Sequence, residues 1–160
     1  MILIPAGPLT MPAFITFGRV LLALFFIVSG ASKLFDIAAT AQMISGKVVI
    51  PAMAVTYTSQ LEAMTAMTMP QMLAIAAGVL ELLGGLLIAL NFGARFFAIL
   101  LILFVIAATF YFNDFWNQTG TDAKNNMIHA LKNLSIIGGL FIVAGLGRSS
   151  RAVDSNYGDV

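Results

Sequence analysis

Four long apolar runs dominate the sequence and limit what the chain can fold into. They cover residues 13–32, 71–90, 94–111 and 127–146. Each has close to the roughly 20 residues that a helix needs to cross the hydrocarbon core of a bilayer. None of them shows the strict alternation of polar and apolar residues that is typical of a half-buried strand. We therefore predict an all-α fold, an integral membrane four-helix bundle.

The composition excludes a water-soluble globule. Hydrophobic residues make up 60% of the 160 residues and charged residues only 9%, against about 45–50% and about 25% in soluble domains. The mean hydropathy is +0.98, so the excess apolar surface must face lipid. The net charge of +1 gives no indication of a nucleic-acid partner. The expected partners are membrane lipids and other membrane protein subunits.

The same runs predict the domain organisation. Residues 1–12 are an N-terminal tail, residues 13–147 the membrane domain and residues 148–160 a polar C-terminal tail. Residues 35–69 form a long connection between the first two runs. In its first part, four apolar residues recur at helical spacing: Ile37, Ala38, Ala41 and Ile44. We expect a short interfacial helical segment there and a second helical stretch over residues 56–69.

Basic residues near the ends of the runs predict the orientation. With the N-terminus inside the cell, every arginine lies on the inner side and most lysines lie on the outer side. The inner set is Arg19, Arg95, Arg148 and Arg151, and the outer set is Lys33, Lys47 and Lys124. This segregation favours a multi-pass protein with both termini in the cytoplasm.

Glu81 lies eleven residues into the second run, near the predicted bilayer centre. Ala74, Gly78, Glu81 and Gly85 share one helical stripe, and small residues on such a stripe let another helix approach closely. Glu81 is therefore expected to face protein. It is either a proton carrier or quinone ligand, or a structural carboxylate paired with a basic group. We expect Glu81 and Arg19 to be linked, directly or through an intermediary, because an unpaired buried carboxylate is costly.

Arg19 and Lys33 are fourteen residues apart in the first run, about 21 Å along a helix axis and nearly on one face. Each can extend to the nearest membrane surface. Arg19 is expected to pair with a lipid headgroup or with Glu81. Lys33 lies three residues before Asp36, so an ion pair at the end of the helix explains these two residues as well as a functional role does.

A polar stripe opens the fourth run at Asn126, His129, Lys132 and Asn133. The imidazole of His129 suits proton transfer or a hydrogen bond to a quinone carbonyl. One histidine without other ligands makes no metal site, and we expect none. The alternative is a structural network, in which Lys132 pairs with Glu81 or Asp114 and Asn133 bridges two helices.

Aromatic residues precede that stripe, among them Tyr111 and Trp116. They are either a belt at the membrane interface or the wall of a headgroup-sized pocket beside His129 and Lys132. The chain has no cysteine, which removes thiol nucleophiles and thiolate ligands. No self-sufficient catalytic constellation is present, so the sequence leaves enzyme activity undecided.

Four segments together resemble one known family. Residues 18–34, GRVLLALFFIVSGASKL, look like the opening of the DoxX family of small four-helix membrane proteins. Three later segments are similar to that family in order and spacing: LELLGG at 80–85, TFYFNDFW at 109–116 and LKNLSIIGG at 131–139. The resemblance implies five recurring polar positions, namely Arg19, Lys33, Glu81, Lys132 and Asn133.

The resemblance also implies a bacterial or archaeal inner-membrane protein with a redox-linked role. One branch of the family resembles the membrane subunit of thiosulfate–quinone oxidoreductase, and others are linked to oxidative-stress complexes. Our first hypothesis is an accessory or structural subunit of a larger membrane complex. The alternative is a quinone-binding oxidoreductase subunit, with the ligand between Glu81, Tyr111, Trp116, His129 and Lys132. No intrinsic cofactor is expected, and the candidate ligands are a quinone or a bound lipid.

Overall fold

The computed structural model describes residues 10–146, with side chains from Ala13 onward. Residues 1–9 and the whole predicted C-terminal tail, with Arg148 and Arg151, lie outside the described residues. Six α-helices follow one another in this part of the chain: α1 (Thr10–Phe35), α2 (Ile37–Ser45), α3 (Val55–Thr65), α4 (Met69–Ala89), α5 (Ala94–Phe112) and α6 (Gly120–Leu146).

Within these residues, α1, α4, α5 and α6 are long and apolar enough to cross a membrane. The all-α, four-helix prediction is confirmed, and residues 10–146 form no strand. The fourth run is longer than its apolar core suggests, because α6 begins at Gly120 and not near residue 127. Its polar first turns contain Asp122, and an acidic residue there stabilises the positive end of the helix dipole.

Helices α1 and α4 are antiparallel and form the most extensive helix pair of the bundle. Their backbones meet at glycines. A Cβ atom on Gly30 would overlap the backbone of Gly78 and Leu82, and one on Gly85 would lie 2.9 Å from the carbonyl oxygen of Ala23. Close approach through small residues is the usual basis of helix association in lipid. The stripe predicted on the second apolar run therefore faces α1.

Helices α5 and α6 complete the bundle on the other side of α4. Gly84 of α4 faces the side chain of Leu101 on α5, and Gly139 of α6 faces Leu22 on α1. The order around the bundle is α1, α4, α5 and α6, and α6 meets α1 over only a short stretch. The largest fully buried side chains are Phe26, Ile88, Leu101 and Leu140, one from each of the four long helices.

The connection between α1 and α4 contains two helices of different character. Ala41 and Ile44 bury α2 against Ala74 of α4. In contrast, α3 has no buried residue and ends at Ala66, whose φ of 55° is left-handed. This reversal explains why the helix predicted to reach residue 69 stops at Thr65 and α4 then starts in a new direction.

Candidate functional site

Glu81 forms a buried ion pair with Lys33. The Lys33 ammonium donates to Glu81 Oε2 at 2.7 Å and to Ser29 Oγ at 2.7 Å. Glu81 is only 4% exposed, as expected for a carboxylate that faces protein, and the Lys33 side chain is 28% exposed. The structure therefore gives Glu81 a partner other than the predicted Arg19.

The glycine contact between α1 and α4 positions this ion pair. A Cβ atom on Gly30 would lie 3.0 Å from Glu81 Cβ, and Lys33 follows Gly30 by one turn of α1, so the ammonium and the carboxylate meet where the helix backbones are closest. Asp36, the other candidate partner of Lys33, has a different function. Its Oδ1 accepts from the backbone N–H of Ala39 at 3.0 Å and caps the start of α2.

Arg19 lies about 21 Å from Lys33 along α1 and belongs to the opposite end of the bundle. Its guanidinium makes no hydrogen bond to any other residue of the described chain. The Nε atom is buried and has no partner. Arg19 and Glu81 are thus separate features and do not form one network.

A second polar network joins α5 to α6. Asn133 Nδ2 donates to Thr109 Oγ1 at 2.9 Å and to Asn113 Oδ1 at 3.3 Å. Asn113 Nδ2 in turn donates to Asn126 Oδ1 at 3.4 Å. Asn133 therefore bridges two helices, as the structural alternative for the polar stripe predicted.

The network continues into the segment between the two helices. Asn126 Nδ2 donates to Gln118 Oε1 at 2.6 Å, and Gln118 Nε2 donates to Asp114 Oδ1 at 2.8 Å. The same carboxylate oxygen accepts from Lys47 Nζ at 3.1 Å. Asp114 is therefore paired with a lysine that follows α2 and not with Lys132.

His129 and Lys132 lie outside this network because the predicted stripe is too wide for one helix face. At 100° per residue, Asn133 is about 20° from Asn126 around the axis, whereas His129 is about 60° and Lys132 about 120° away. Both latter residues are exposed, and neither forms a side-chain hydrogen bond with another residue in the described range. Lys132 lies on the side of α6 that meets α1 further along, at Gly139, and His129 is about 80° from Gly139 around the axis.

An apolar groove of about 400 Å³ lies on the outer seam of α5 and α6. Trp116 lies at one end of it, and Thr109 is its one hydroxyl-bearing lining side chain. The Thr109 hydroxyl is already used, since it donates to the Val105 carbonyl at 2.7 Å and accepts from Asn133. The groove is thus mainly a surface for rings or hydrocarbon, and Thr109 has no free hydroxyl proton to offer a ligand.

The groove does not assemble the five residues predicted to surround a quinone. Trp116 lines it, but Glu81, Tyr111, His129 and Lys132 do not. The α6 residues that line the groove lie on the side of the helix opposite Lys132. Tyr111 packs edge-on against Phe110, with ring centroids 5.5 Å apart, and is half exposed outside the groove.

The comparisons with known proteins agree with this architecture. The DoxX family profile matches residues 14–114. The chain belongs to the DoxX family. It is also 29% identical over 143 residues to inner membrane protein YphA of Escherichia coli (strain K12), and the match covers 89% of each chain. No solved structure matches. The profile match includes Arg19, Lys33 and Glu81 and ends before α6, so it does not include His129, Lys132 or Asn133.

Several participants in the networks were not predicted from the sequence. Ser29 lies four residues before Lys33, a spacing at which helix side chains meet, so that spacing alone would have identified it. Gln118 and Asn113 lie in the polar segment after the third run, where only the composition marks them. Lys47 is 67 residues from Asp114, and no local pattern connects the two.

Proposed function

We propose that this DoxX-family chain is an accessory subunit that docks on a larger, redox-linked complex in the membrane. Most polar side chains that could take part in a reaction are already paired within the protein. Glu81 forms an ion pair with Lys33, Asp114 forms one with Lys47, and Asn133 donates a hydrogen bond to Thr109. His129, the one histidine of the chain, and Lys132 lie at the surface without a side-chain hydrogen bond to another described residue. Any catalytic step of such a complex then belongs to its other subunits.

The exposed apolar face of α3 carries this proposal. Tyr57, Leu61 and Met64 recur at i, i+4 and i+7 and are 70%, 45% and 84% exposed. We call these three residues the α3 stripe. On another side of α3, Glu62 Oε1 accepts from the backbone N–H of Met69, the first residue of α4, at 2.6 Å. The stripe faces away from this contact.

The charge distribution favours a protein over a lipid surface as the partner of this stripe. Helices that lie on a membrane surface use lysine and arginine on their polar face to attract anionic lipid. Residues 48–68 contain no lysine and no arginine, and their one charged residue, Glu62, contacts α4. A helix that presents an exposed row of apolar residues suits an apolar groove on a partner protein.

Copurification from native membranes, followed by mass spectrometry of the bound proteins, tests the proposal. We expect the wild type to retain a larger complex and the variant Tyr57→Ala/Leu61→Ala/Met64→Ala to lose it. The matched control is Phe96→Ala/Ile99→Ala/Leu103→Ala, which removes an equally exposed apolar row from α5. Loss of the complex in both triple variants, or in neither, contradicts docking through the α3 stripe.

A quinone or a lipid tail in the α5–α6 groove is the second candidate, and the Trp116 ring at its end favours it. Since Thr109 is already hydrogen-bonded, ring stacking and apolar contact would provide the affinity. Quinone binding should then fall in Trp116→Ala and remain unchanged in His129→Ala. Equal quinone binding by the wild type and both variants would contradict a ligand site in this groove, and with it the role of a quinone-binding oxidoreductase subunit.

We also propose that the protein lies in a bacterial inner membrane with both termini in the cytoplasm. The likeness to an inner membrane protein and the placement of Arg19 and Arg95 at one end of the bundle support this. Because the chain has no cysteine, single cysteines can be introduced freely. In intact cells an impermeant thiol reagent should label Ser59→Cys and leave Ser155→Cys unlabelled, and the reverse pattern contradicts the orientation.

A further inference from the structure

Arg19 places a cation at the end of the bundle where α4 finishes and α5 begins. It lies one turn before Ala23, a fully buried residue whose carbonyl faces Gly85. Because α1 and α4 are antiparallel, this turn of α1 lies beside the last turn of α4. Arg19 therefore lies far from the Lys33–Glu81 ion pair, and its Nε is buried without a hydrogen-bond partner.

The neighbouring backbone offers Arg19 little hydrogen-bonding capacity. The last carbonyl groups of α4 are already capped by the turn that follows. The carbonyl of Leu86 accepts from the N–H of Leu90 at 3.0 Å. Those of Leu87 and Ile88 accept from Phe92 and Asn91 at 2.9 and 3.1 Å. The last turn of α4 is thus capped by the backbone that follows it, and none of these carbonyl groups accepts from Arg19 Nε.

No carboxylate among the described residues is available at this end either. Glu81 is bound to Lys33, and the others follow α1, precede α4, follow α5 or open α6, all at the opposite end of the bundle. They are Asp36, Glu62, Asp114 and Asp122. Arginine stays protonated at any physiological pH, and an unpaired charge at membrane depth is costly. An anion from outside this part of the chain would complete the site.

We propose that Arg19 binds the phosphate of a phospholipid headgroup. The planar guanidinium matches phosphate in a bidentate geometry. The surface that leads to it is hydrocarbon-like, since Phe14, Phe17 and Gly18 on α1 are exposed. Arg19 is six residues beyond Ala13, about 9 Å along the helix, a depth that an arginine side chain can bridge to the headgroup layer.

Native mass spectrometry of the full chain in detergent, with added lipid, tests this inference. The probes are phosphatidylglycerol, a diacylglycerol with the same acyl chains, and inorganic phosphate. We expect phosphatidylglycerol to bind to the wild type and the affinity to fall at least tenfold in Arg19→Gln. Arg95→Gln is the matched control, since Arg95 is an exposed arginine at the same end, and it should bind as the wild type does.

Three results would overturn the inference: binding of phosphatidylglycerol to Arg19→Gln within twofold of wild type, equal binding of diacylglycerol, or full displacement by millimolar inorganic phosphate. A carboxylate of the C-terminal tail is the competing partner. If Asp154→Asn/Asp159→Asn lowers lipid-free thermal stability as much as Arg19→Gln does, that carboxylate and not a lipid holds Arg19. Arg19→Lys keeps the charge and the fold, and should bind with intermediate affinity because it loses the bidentate geometry.

Discussion

Replacement of Lys33 by methionine should destabilise the bundle more than any other single change to its polar residues. Methionine keeps the unbranched side chain but leaves Glu81, which is 4% exposed, without its cation. Removing one partner of a buried ion pair costs roughly 3–5 kcal/mol. The Lys33 side chain is 28% exposed, and solvent therefore screens part of the interaction. We expect about 3 kcal/mol, the lower end of that range.

Replacement of the other partner, Glu81, should lower the free energy of unfolding by less. In Glu81→Met the ammonium keeps the Ser29 hydroxyl as an acceptor, and Lys33 is two residues from the end of α1 at Phe35. The lysine can therefore extend to the membrane surface. We expect about 1.5 kcal/mol, the cost of one hydrogen bond to a charged group.

The double variant Lys33→Met/Glu81→Met decides whether the pair acts as a unit. An apolar pair of similar volume is often neutral compared with a buried ion pair, so the double variant should lose less than about 1 kcal/mol. The three variants and the wild type form a cycle with an expected coupling energy of about 3.5 kcal/mol, at the upper limit of the range for residues in contact. Reversible unfolding in mixed micelles measures all four proteins. A double variant that loses the sum of the two single losses would refute the reasoning.

Three further changes have defined outcomes. Gly30→Ala should lower the free energy of unfolding in micelles by about 1–3 kcal/mol, since the added methyl group overpacks the contact between α1 and α4. Gly18→Ala should leave the free energy of unfolding unchanged, because a Cβ atom there meets nothing within 4 Å. Asn133→Ala breaks two interhelical hydrogen bonds and should cost about 1–2 kcal/mol, while Ser135→Ala, which loses only a bond within α6, serves as its neutral control. Glu62→Ala removes the acceptor of the Met69 N–H, so hydrogen exchange over residues 55–68 should quicken while the melting temperature of the bundle stays the same.

Apolar periodicity and small residues were sufficient to predict the fold. The four runs gave the four long helices because lipid leaves the backbone few alternatives to a helix. The stripe of Ala74, Gly78, Glu81 and Gly85 predicted correctly that Glu81 faces another helix. Its partner could not be predicted, since Arg19 and Lys33 share one face of α1 and differ only in depth. The register of α1 against α4, set by the glycines, selects Lys33.

The polar stripe of α6 shows a second limit of prediction from spacing. Asn126, His129, Lys132 and Asn133 satisfy a spacing of three or four residues, yet they extend over about 120° of the helix surface. The amides turn inward because α5 presents Thr109 and Asn113 there, and the two basic side chains turn outward. Which half of such a stripe is buried depends on the neighbouring helix and not on the stripe itself.

Photo-crosslinking at a single position of the α3 stripe tests the docking function most directly. A photoreactive amino acid replaces Leu61 in one protein and Leu103, an exposed apolar residue of α5, in another, and both are illuminated in native membranes. If α3 docks in a groove of a partner protein, position 61 should give one discrete protein adduct and position 103 only lipid adducts. Lipid adducts alone from position 61, at the same yield as from position 103, would contradict the proposed accessory role.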